Sequence, residues 1–128
     1  MADAFFSRTV FIDCYRGDRG AEALMNLVLA GSITASYSAI TSFEIWSGIS
    51  SVQEESDYLL FLAFCDEVAL TGSIARRAAL MLRGVTVRRA EALSRDALIA
   101  ATASERGEPA FTRNTRDFRR LYSNVRSY

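Results

Sequence analysis

The sequence of 128 residues contains no histidine and no lysine, and it has only one proline and two cysteines. Without histidine, the chain cannot form a Ser-His-Asp triad, a Cys-His dyad or an imidazole metal site. Any general base must therefore be a carboxylate, a tyrosine, a cysteine or a metal-bound hydroxide. Half of the residues are hydrophobic, which excludes intrinsic disorder. We predict a single folded domain over residues 1–128, because this length is typical of one domain.

Signals for export, membrane insertion and disulfide bonding are also missing. Segment 1–8 has neither a basic start nor a long apolar run, so no signal peptide is predicted. No apolar stretch reaches the roughly 18 residues that suggest a membrane span. Cys14 and Cys65 are far apart and form no CxxC motif, which favours two reduced, buried thiols. Together these features predict a soluble, cytoplasmic protein.

The formal net charge of zero hides an asymmetry along the chain. Residues 1–75 contain three arginines and ten acidic residues, a charge of −7, whereas residues 76–128 contain twelve arginines and five acidic residues, a charge of +7. A basic segment can indicate a phosphate-rich partner. Alternatively, the two segments mix in the folded protein and their charges largely cancel. The sequence leaves both interpretations open.

Short strand-like runs alternate with longer helical patterns. Strands are predicted at 4–6, 33–37, 67–70 and 110–112, with a last one around Val125. Helices are predicted at 21–30, 51–64, 71–82 and 95–105, another begins at Thr41 or Ser42, and a short one follows Thr115. Ser94 is the expected cap of the helix over 95–105. The order β-α-α-β-α-α-β-α-α-β-α-β predicts a parallel sheet with helices on both faces.

Three acidic residues stand in unexpectedly apolar surroundings, namely Glu44, Asp96 and Asp117. In parallel sheets, ligands bind outside the carboxyl ends of the strands, and this rule points to Ser7, to these three acids and to segment 112–117. Burying a carboxylate is costly unless its charge is compensated. A divalent cation would compensate several acids at once, and Mg²⁺ and Mn²⁺ prefer oxygen ligands. Alternatively, Asp96 and Asp117 are simple helix-capping acids and Glu44 is a half-exposed surface acid.

Four segments, taken in order, resemble PIN-domain proteins of the VapC type, the toxin ribonucleases of bacterial and archaeal toxin–antitoxin pairs. They are segment 9–13 followed by 16–18, then 38–44, 96–103 and 112–118. Each motif is weak alone, but all four at the expected separations form a specific signal. The similarity covers nearly the whole chain. It implies a PIN-like three-layer sandwich, with a mostly parallel central sheet between two helical layers.

The resemblance also implies a function and a site. It implies an endoribonuclease that depends on Mg²⁺ or Mn²⁺, with the metal held by Glu44, Asp96 and Asp117 directly or through water. Asn114 and Thr112 would position ligands or the scissile phosphate. Family members usually form homodimers. They are usually silenced by an antitoxin whose C-terminal segment crosses the active groove and often presents an arginine to the acids.

The sequence departs from the family pattern at one position. The first family acid normally ends the first strand, where this chain has Ser7 followed by Arg8. Three interpretations follow: weak metal binding and impaired catalysis, replacement of the missing ligand by Asp3 or Asp13, or full activity with three acids. A second function hypothesis is therefore a catalytically impaired module that mainly binds an antitoxin or RNA. A phosphatase is disfavoured, because no early Asp-x-Asp pair is present.

Two further groups of side chains were assigned from the sequence. Arg113 and Arg116 flank the proposed acids, and we expect them to bind RNA phosphates, which arginine can grip in a fork. The aromatic residues are spaced like core or interface side chains rather than like a base-stacking platform. They are Phe43, Trp46, Tyr58, Phe61, Phe64 and Phe118. As an alternative, Trp46 and the apolar face of 58–64 would line an antitoxin groove.

Overall fold

Five short parallel strands form one sheet in the order β3-β2-β1-β4-β5. The computed structural model describes residues 2–128. The central strand β1 pairs with β2 on one side and with β4 on the other. The strands are β1 (Ala2–Phe6), β2 (Ile33–Ser38), β3 (Asp66–Val68), β4 (Ala110–Phe111) and β5 (Val125–Arg126). This confirms the predicted parallel sheet, although β3 begins and ends earlier than the predicted strand 67–70.

Within residues 2–128, eight helices surround this sheet. They are α1 (Arg8–Tyr15), α2 (Arg19–Leu29), α3 (Ala39–Ser47), α4 (Val52–Leu62), α5 (Gly72–Leu82), α6 (Val87–Ala92), α7 (Ser94–Arg106) and α8 (Thr115–Arg119). The predicted helices at 21–30, 51–64, 71–82 and 95–105 are confirmed within a few residues. Helix α6 was not predicted. None of its residues is buried, so its sequence carries no apolar periodicity.

Side chains on the two faces of β1 belong to separate apolar clusters, as expected of a central strand in a three-layer fold. Phe6 lies in a cluster with side chains of α1, α2, β2, α3 and α4. Phe5 lies on the opposite face, in a cluster with Ile99 of α7 and Phe118 of α8. Phe5 and Phe6 are both fully buried. The predicted three-layer α/β sandwich is therefore confirmed, with β1 as its centre.

The start of α3 differs from the prediction. Ser38, not Thr41 or Ser42, is the N-cap, and its Oγ accepts a hydrogen bond of 3.0 Å from the Ile40 N–H. The strand β2 thus passes directly into the helix. Thr41 lies inside the helix and is fully buried. This earlier start matters for function, because it places Glu44 in the second turn of a helix that begins at the carboxyl end of β2.

Two other predicted caps also differ. Ser94 is the first residue of α7 and not its cap; its Oγ donates to the carbonyl of Glu91 at the end of α6. Asn114, not Thr115, precedes α8 at the cap position. Thr71, predicted as the first residue of its helix, is instead the N-cap of α5, with its hydroxyl accepting from the Ile74 N–H at 3.2 Å. Ser94 bonds to the end of α6 and does not cap α7, because the two helices follow each other closely along the chain.

The remaining expectations concern the cysteines and the membrane. Cys14 and Cys65 are both free and half-buried, and burial raises the pKa of the Cys65 thiol to about 12. Such a thiol is protonated at neutral pH and is a poor nucleophile. Among residues 2–128, no helix has both the length and the apolar character needed to cross a bilayer.

Candidate active site

A small cavity of about 30 Å³ lies beyond the carboxyl ends of β1, β2 and β4. Its lining contains five of the six residues that were predicted to form the catalytic site, and it also contains Arg8. The lining residues are Ser7, Arg8, Thr9, Glu44, Asp96, Ile99, Thr112, Asn114 and Phe118. The sixth predicted residue, Asp117, does not line the cavity. Ligand sites of parallel sheets are expected at this edge.

Ser7 follows the last residue of β1 and is the N-cap residue of α1. Its backbone N–H bonds to the carbonyl of Phe111 in β4, and its side chain is buried. The Ser7 Oγ lies 2.8 Å from the Thr9 Oγ1 and makes no capping bond to the helix. Ser7 therefore occupies the strand end predicted for it, but it brings a neutral hydroxyl, already hydrogen-bonded, to the cavity.

Glu44 is held in α3 with its side chain only 4% exposed. Its Oε2 lies 3.3 Å from Nη1 of Arg8, while its Oε1 is buried and has no hydrogen-bond partner within residues 2–128. Burial raises the pKa of Glu44, the charges of Arg8 and Arg95 lower it, and the charge of Asp96 raises it. An unpartnered buried oxygen is costly. The alternative of a half-exposed surface acid is thus wrong.

Asp96 lies in the first turn of α7. Burial raises its pKa; the negative charge of Asp117 raises it further, and Arg8 lowers it. The amide nitrogen of Asn114 lies 3.5 Å from Oδ2 of Asp96 and 3.3 Å from Oδ2 of Asp117. The Asn114 amide can therefore donate to both carboxylates and fix the two acids relative to each other.

Thr112 and Asp117 complete the predicted set. Thr112 is fully buried, and its Oγ1 accepts a hydrogen bond of 3.1 Å from the Asn114 N–H. This local bond shapes the turn after β4 and presents the Asn114 side chain to the acids. Asp117 forms an ion pair of 3.0 Å with Arg89. Arg89 belongs to the unpredicted helix α6, so no local sequence pattern indicated this contact.

Arg113 is engaged with other side chains of the protein. Its guanidinium pairs with Asp13 and Asp18 and lies 4.2 Å from the centre of the Tyr128 ring. Its backbone N–H donates to Thr9 Oγ1 at 3.0 Å. We call this group the Arg113 cluster. Arg113 does not line the cavity.

Arg116 is exposed on α8 and, unlike Arg113, forms no ion pair within residues 2–128. Both residues follow β4, near the acids, as the sequence predicted.

Neither Asp3 nor Asp13 replaces the missing acid. Asp13 accepts a hydrogen bond of 2.7 Å from the Tyr128 hydroxyl and pairs with Arg113. Asp3 is exposed on β1, and neither residue lines the cavity. Helix α1 runs unshortened from Arg8 to Tyr15. The interpretation in which one of these acids moves into the site is therefore wrong for this structure.

A model of the PIN domain family matches residues 5–124 of the chain. The chain belongs to the PIN-domain family. No curated protein matches it. The resemblance to VapC-type proteins, predicted from four motifs, is thus confirmed for family and fold.

Three solved structures are similar to this PIN domain over nearly the full length of both chains. A toxin–antitoxin complex from Klebsiella pneumoniae shares 25% identity, with 96% of this chain and 95% of that chain covered and a TM-score of 0.77. VapBC2 from Rickettsia felis, bound to a DNA fragment from its promoter, shares 15% identity, with 98% of each chain covered and a TM-score of 0.77. DNA-bound VapBC from Salmonella typhimurium shares 18%, covering 100% and 98%, with a TM-score of 0.74.

Several aromatic residues of this PIN domain are more exposed than predicted. Tyr58 and Phe118 are buried. Phe43, Trp46 and Phe64 are 61%, 38% and 53% exposed, so of the two predicted locations, core or interface, these three do not lie in the core. An open groove of about 590 Å³ accounts for part of this surface. We call it the α3–α4 groove; it is lined by Tyr37, Ser42, Phe43, Trp46, Leu59, Leu62, Ala63 and Glu67. The alternative prediction, in which Trp46 and the apolar face of 58–64 line a groove, agrees with the structure better than burial of these side chains in the core does.

The donors near the cavity are all oxygen atoms, as a hard divalent cation requires. Glu44 contributes a buried oxygen without a partner, and Asp96 lines the same cavity. These two observations fit Mg²⁺ or Mn²⁺ in donor chemistry. In the described part of the chain, however, no three aspartate, glutamate or cysteine side chains converge as a ready-made metal site. The site of this PIN domain is therefore chemically suitable for a cation but not arranged around one.

Proposed function

We propose that this PIN domain is the ribonuclease toxin of a toxin–antitoxin pair and hydrolyses RNA phosphodiester bonds with Mg²⁺ or Mn²⁺. The observation that supports this most strongly is the pair of acids Glu44 and Asp96. They come from different helices, line one cavity at the carboxyl edge of the sheet, and include an unpartnered carboxylate oxygen. Leaving that oxygen buried and unpaired is costly. A bound cation removes this cost.

Each predicted site residue receives a role under this proposal. Glu44, Asp96 and Asp117 would hold the ion directly or through water, and a bound ion would supply positive charge at the phosphoryl group and lower the pKa of a water molecule. Asn114 holds the carboxylates of Asp96 and Asp117 in place through its amide. Thr112 positions Asn114 by accepting its backbone N–H. The Ser7 hydroxyl lines the cavity without adding charge.

RNA binding is proposed to involve the arginines that follow β4. Arg116 is exposed beside the acids on α8 and is free to bind a phosphate group, which arginine contacts strongly. Arg113 also follows β4, but its guanidinium already pairs with Asp13 and Asp18. We therefore assign the direct phosphate contact to Arg116, and to Arg113 an indirect role in holding the loop after β4.

The proposed protein partner is a cognate antitoxin. One similar solved structure is described as a toxin–antitoxin complex, and the fold of this chain matches it over 96% of its length. The α3–α4 groove exposes Phe43, Trp46 and Leu59, and contiguous exposed apolar surface typically marks a protein contact. We assign this groove to the antitoxin. A homodimer and a cytoplasmic location complete the proposal.

A second candidate function is a PIN-like module that binds antitoxin or RNA but cleaves poorly. Two observations favour it. The strand end carries the neutral Ser7 in place of the family's first acid, and Arg8 pairs with Glu44 at the position where a cation is needed. Both reduce the negative charge available to a metal ion.

The decisive experiment incubates purified protein with RNA and Mn²⁺, alongside the variants Asp96→Asn and Asp57→Asn. Asp57 is on α4, outside the cavity, so Asp57→Asn is a matched control for loss of one aspartate charge. We expect the parent and Asp57→Asn to cleave RNA alike. Asp96→Asn should lose cleavage by at least about a hundredfold, as is usual for a group acting on the transition state.

The same experiment separates the two candidate functions. Equal residual cleavage by the parent and by Asp96→Asn would indicate a contaminating nuclease and would support the binding module. In that case RNA binding, measured by fluorescence anisotropy, should persist without cleavage.

A further inference from the structure

The acids of the candidate site already have positive partners within the chain. Arg8 Nη1 lies 3.3 Å from Glu44 Oε2, and Arg89 Nη2 lies 3.0 Å from Asp117 Oδ1. With Asp96, and with Arg120, whose Nε lies 4.0 Å from Asp117 Oδ1, these groups comprise three negative and three positive charges, a formal sum of zero. The site is thus largely neutralised by guanidinium groups. A divalent cation that binds there must compete with these groups.

We propose that Arg8 sets how tightly this site binds a divalent cation, because its positively charged guanidinium lies beside the Glu44 carboxylate, where the cation would bind. The inference rests on the proposed function and concerns the same site. Arg8 immediately follows Ser7, so one short segment both lacks an acid and adds a positive charge. Both changes act in the same direction and weaken the attraction of the site for a cation.

Arg8 is a stronger competitor than Arg89 for geometric reasons. The side chain of its partner Glu44 is 4% exposed, whereas that of Asp117, the partner of Arg89, is 29% exposed. Charges that are shielded from water interact more strongly than exposed ones. Arg8 also lines the cavity itself, and Arg89 does not. The charge of Arg8 acts on Asp96 as well as on Glu44.

The structure also provides a place for the Arg8 side chain when a cation binds. Arg8 and Glu44 line a second space of about 340 Å³, on the side of α4. Glu54 lies there as an alternative carboxylate, next to Tyr58 and Arg16. The Arg8 side chain is 49% exposed, so no buried packing prevents its movement. The Arg8 side chain therefore lies between the small cavity and this wider space, and it can move away from the Glu44 carboxylate while α1 stays folded.

The test titrates the full-length protein with Mn²⁺ alone, without RNA, by calorimetry at fixed ionic strength. Arg8→Gln removes the charge but keeps a polar side chain. We expect this variant to bind Mn²⁺ at least about tenfold more tightly than the parent, since removing a nearby like charge strengthens cation binding. Arg8→Lys keeps the charge and should bind within about threefold of the parent.

Arg19→Gln is the matched control, because Arg19 is exposed at the start of α2 and lines neither the cavity nor the second space. It should bind Mn²⁺ within about twofold of the parent. The double variant Arg8→Gln with Glu44→Gln should bind Mn²⁺ no more tightly than Glu44→Gln alone, which places the effect of Arg8 at Glu44. Circular dichroism verifies folding, and Arg8→Met serves as a second neutral variant if Arg8→Gln does not fold. Affinities of the neutral Arg8 variants equal to that of Arg19→Gln would overturn the inference.

Failure of this inference is distinguishable from failure of the proposed function. Tighter Mn²⁺ binding by Arg8→Gln, without RNA cleavage by any variant, supports the role of Arg8 and rejects the nuclease. Cleavage that depends on Asp96, with unchanged Mn²⁺ binding by Arg8→Gln, supports the nuclease and rejects the role of Arg8.

Discussion

Arg8, the first residue of α1, and Arg113, in the turn after β4, both form ion pairs with carboxylates, but their surroundings differ. Arg8 has one carboxylate partner, Glu44, whose side chain is buried and lines the cavity. Arg113 has two partly exposed carboxylate partners, Asp13 and Asp18, and an aromatic ring. Isolated exposed ion pairs contribute little to stability, whereas networks contribute more. The difference indicates that Arg113 contributes to the stability of the fold, and it supports the proposed role of Arg8 in cation binding.

The largest expected effect comes from adding an acid beside Arg8. Ser7→Asp should increase the affinity for Mg²⁺ or Mn²⁺, measured by calorimetry, by more than about tenfold, because it adds an anionic oxygen ligand to a cavity that holds two acids. Ser56→Asp adds the same charge to an exposed position of α4 and should leave the affinity unchanged. If Ser7→Asp binds the metal no better than the parent does, Ser7 is not part of the metal site.

The sequence predicted most of the fold because most elements carry a local signal. Helices α2, α4, α5 and α7 have buried residues at helical spacing, and β1 carries a short apolar run. Helix α6 has no buried residue, so no periodicity marked it. The cap of α3 was misplaced because Ser38, Thr41 and Ser42 are all acceptable caps by residue type. The residue at which β2 ends determines which of the three caps α3, and the local sequence does not specify it.

The candidate site was predictable in its acids but not in its ion pairs. Glu44 and Asp96 were predictable because a carboxylate in an apolar segment needs a partner that compensates its charge. Both residues line the cavity. The partners of Arg8 and Arg113 depend on which helices the fold brings together, and no local pattern encodes this. Arg113 was therefore assigned to RNA, although its guanidinium pairs with Asp13 and Asp18.

A smaller effect should distinguish Arg113 from Arg116. Arg113→Gln removes two ion pairs and the contact with the Tyr128 ring, so it should lower the Tm by several degrees in a thermal denaturation experiment. Arg116→Gln, which changes an exposed side chain, should leave the Tm within about one degree. RNA binding should show the opposite order, with Arg116→Gln reducing the salt dependence by about one phosphate contact. Equal Tm values for the two variants would remove the stabilising role of the Arg113 cluster.

The smallest expected effect is the pH dependence of the Arg113 cluster. The Asp18 carboxylate caps α2 by accepting the Ala21 N–H, at 3.0 Å. This hydrogen bond lowers the pKa of Asp18; desolvation opposes it, and the charge of Arg113 and its hydrogen bond lower the pKa further. A carboxylate with a lowered pKa stabilises the fold above its ordinary pKa of about 4, and this stabilisation is lost as the pH falls through the lowered value.

The Tm of the parent should therefore decrease more between about pH 6 and pH 3 than the Tm of Asp18→Asn does, because the variant keeps a capping oxygen that does not titrate. Asp57→Asn, at a half-buried position of α4 outside the Arg113 cluster, controls for the loss of an aspartate and should follow the parent. Parallel Tm curves for the parent and Asp18→Asn would show that Asp18 does not contribute to the acid sensitivity.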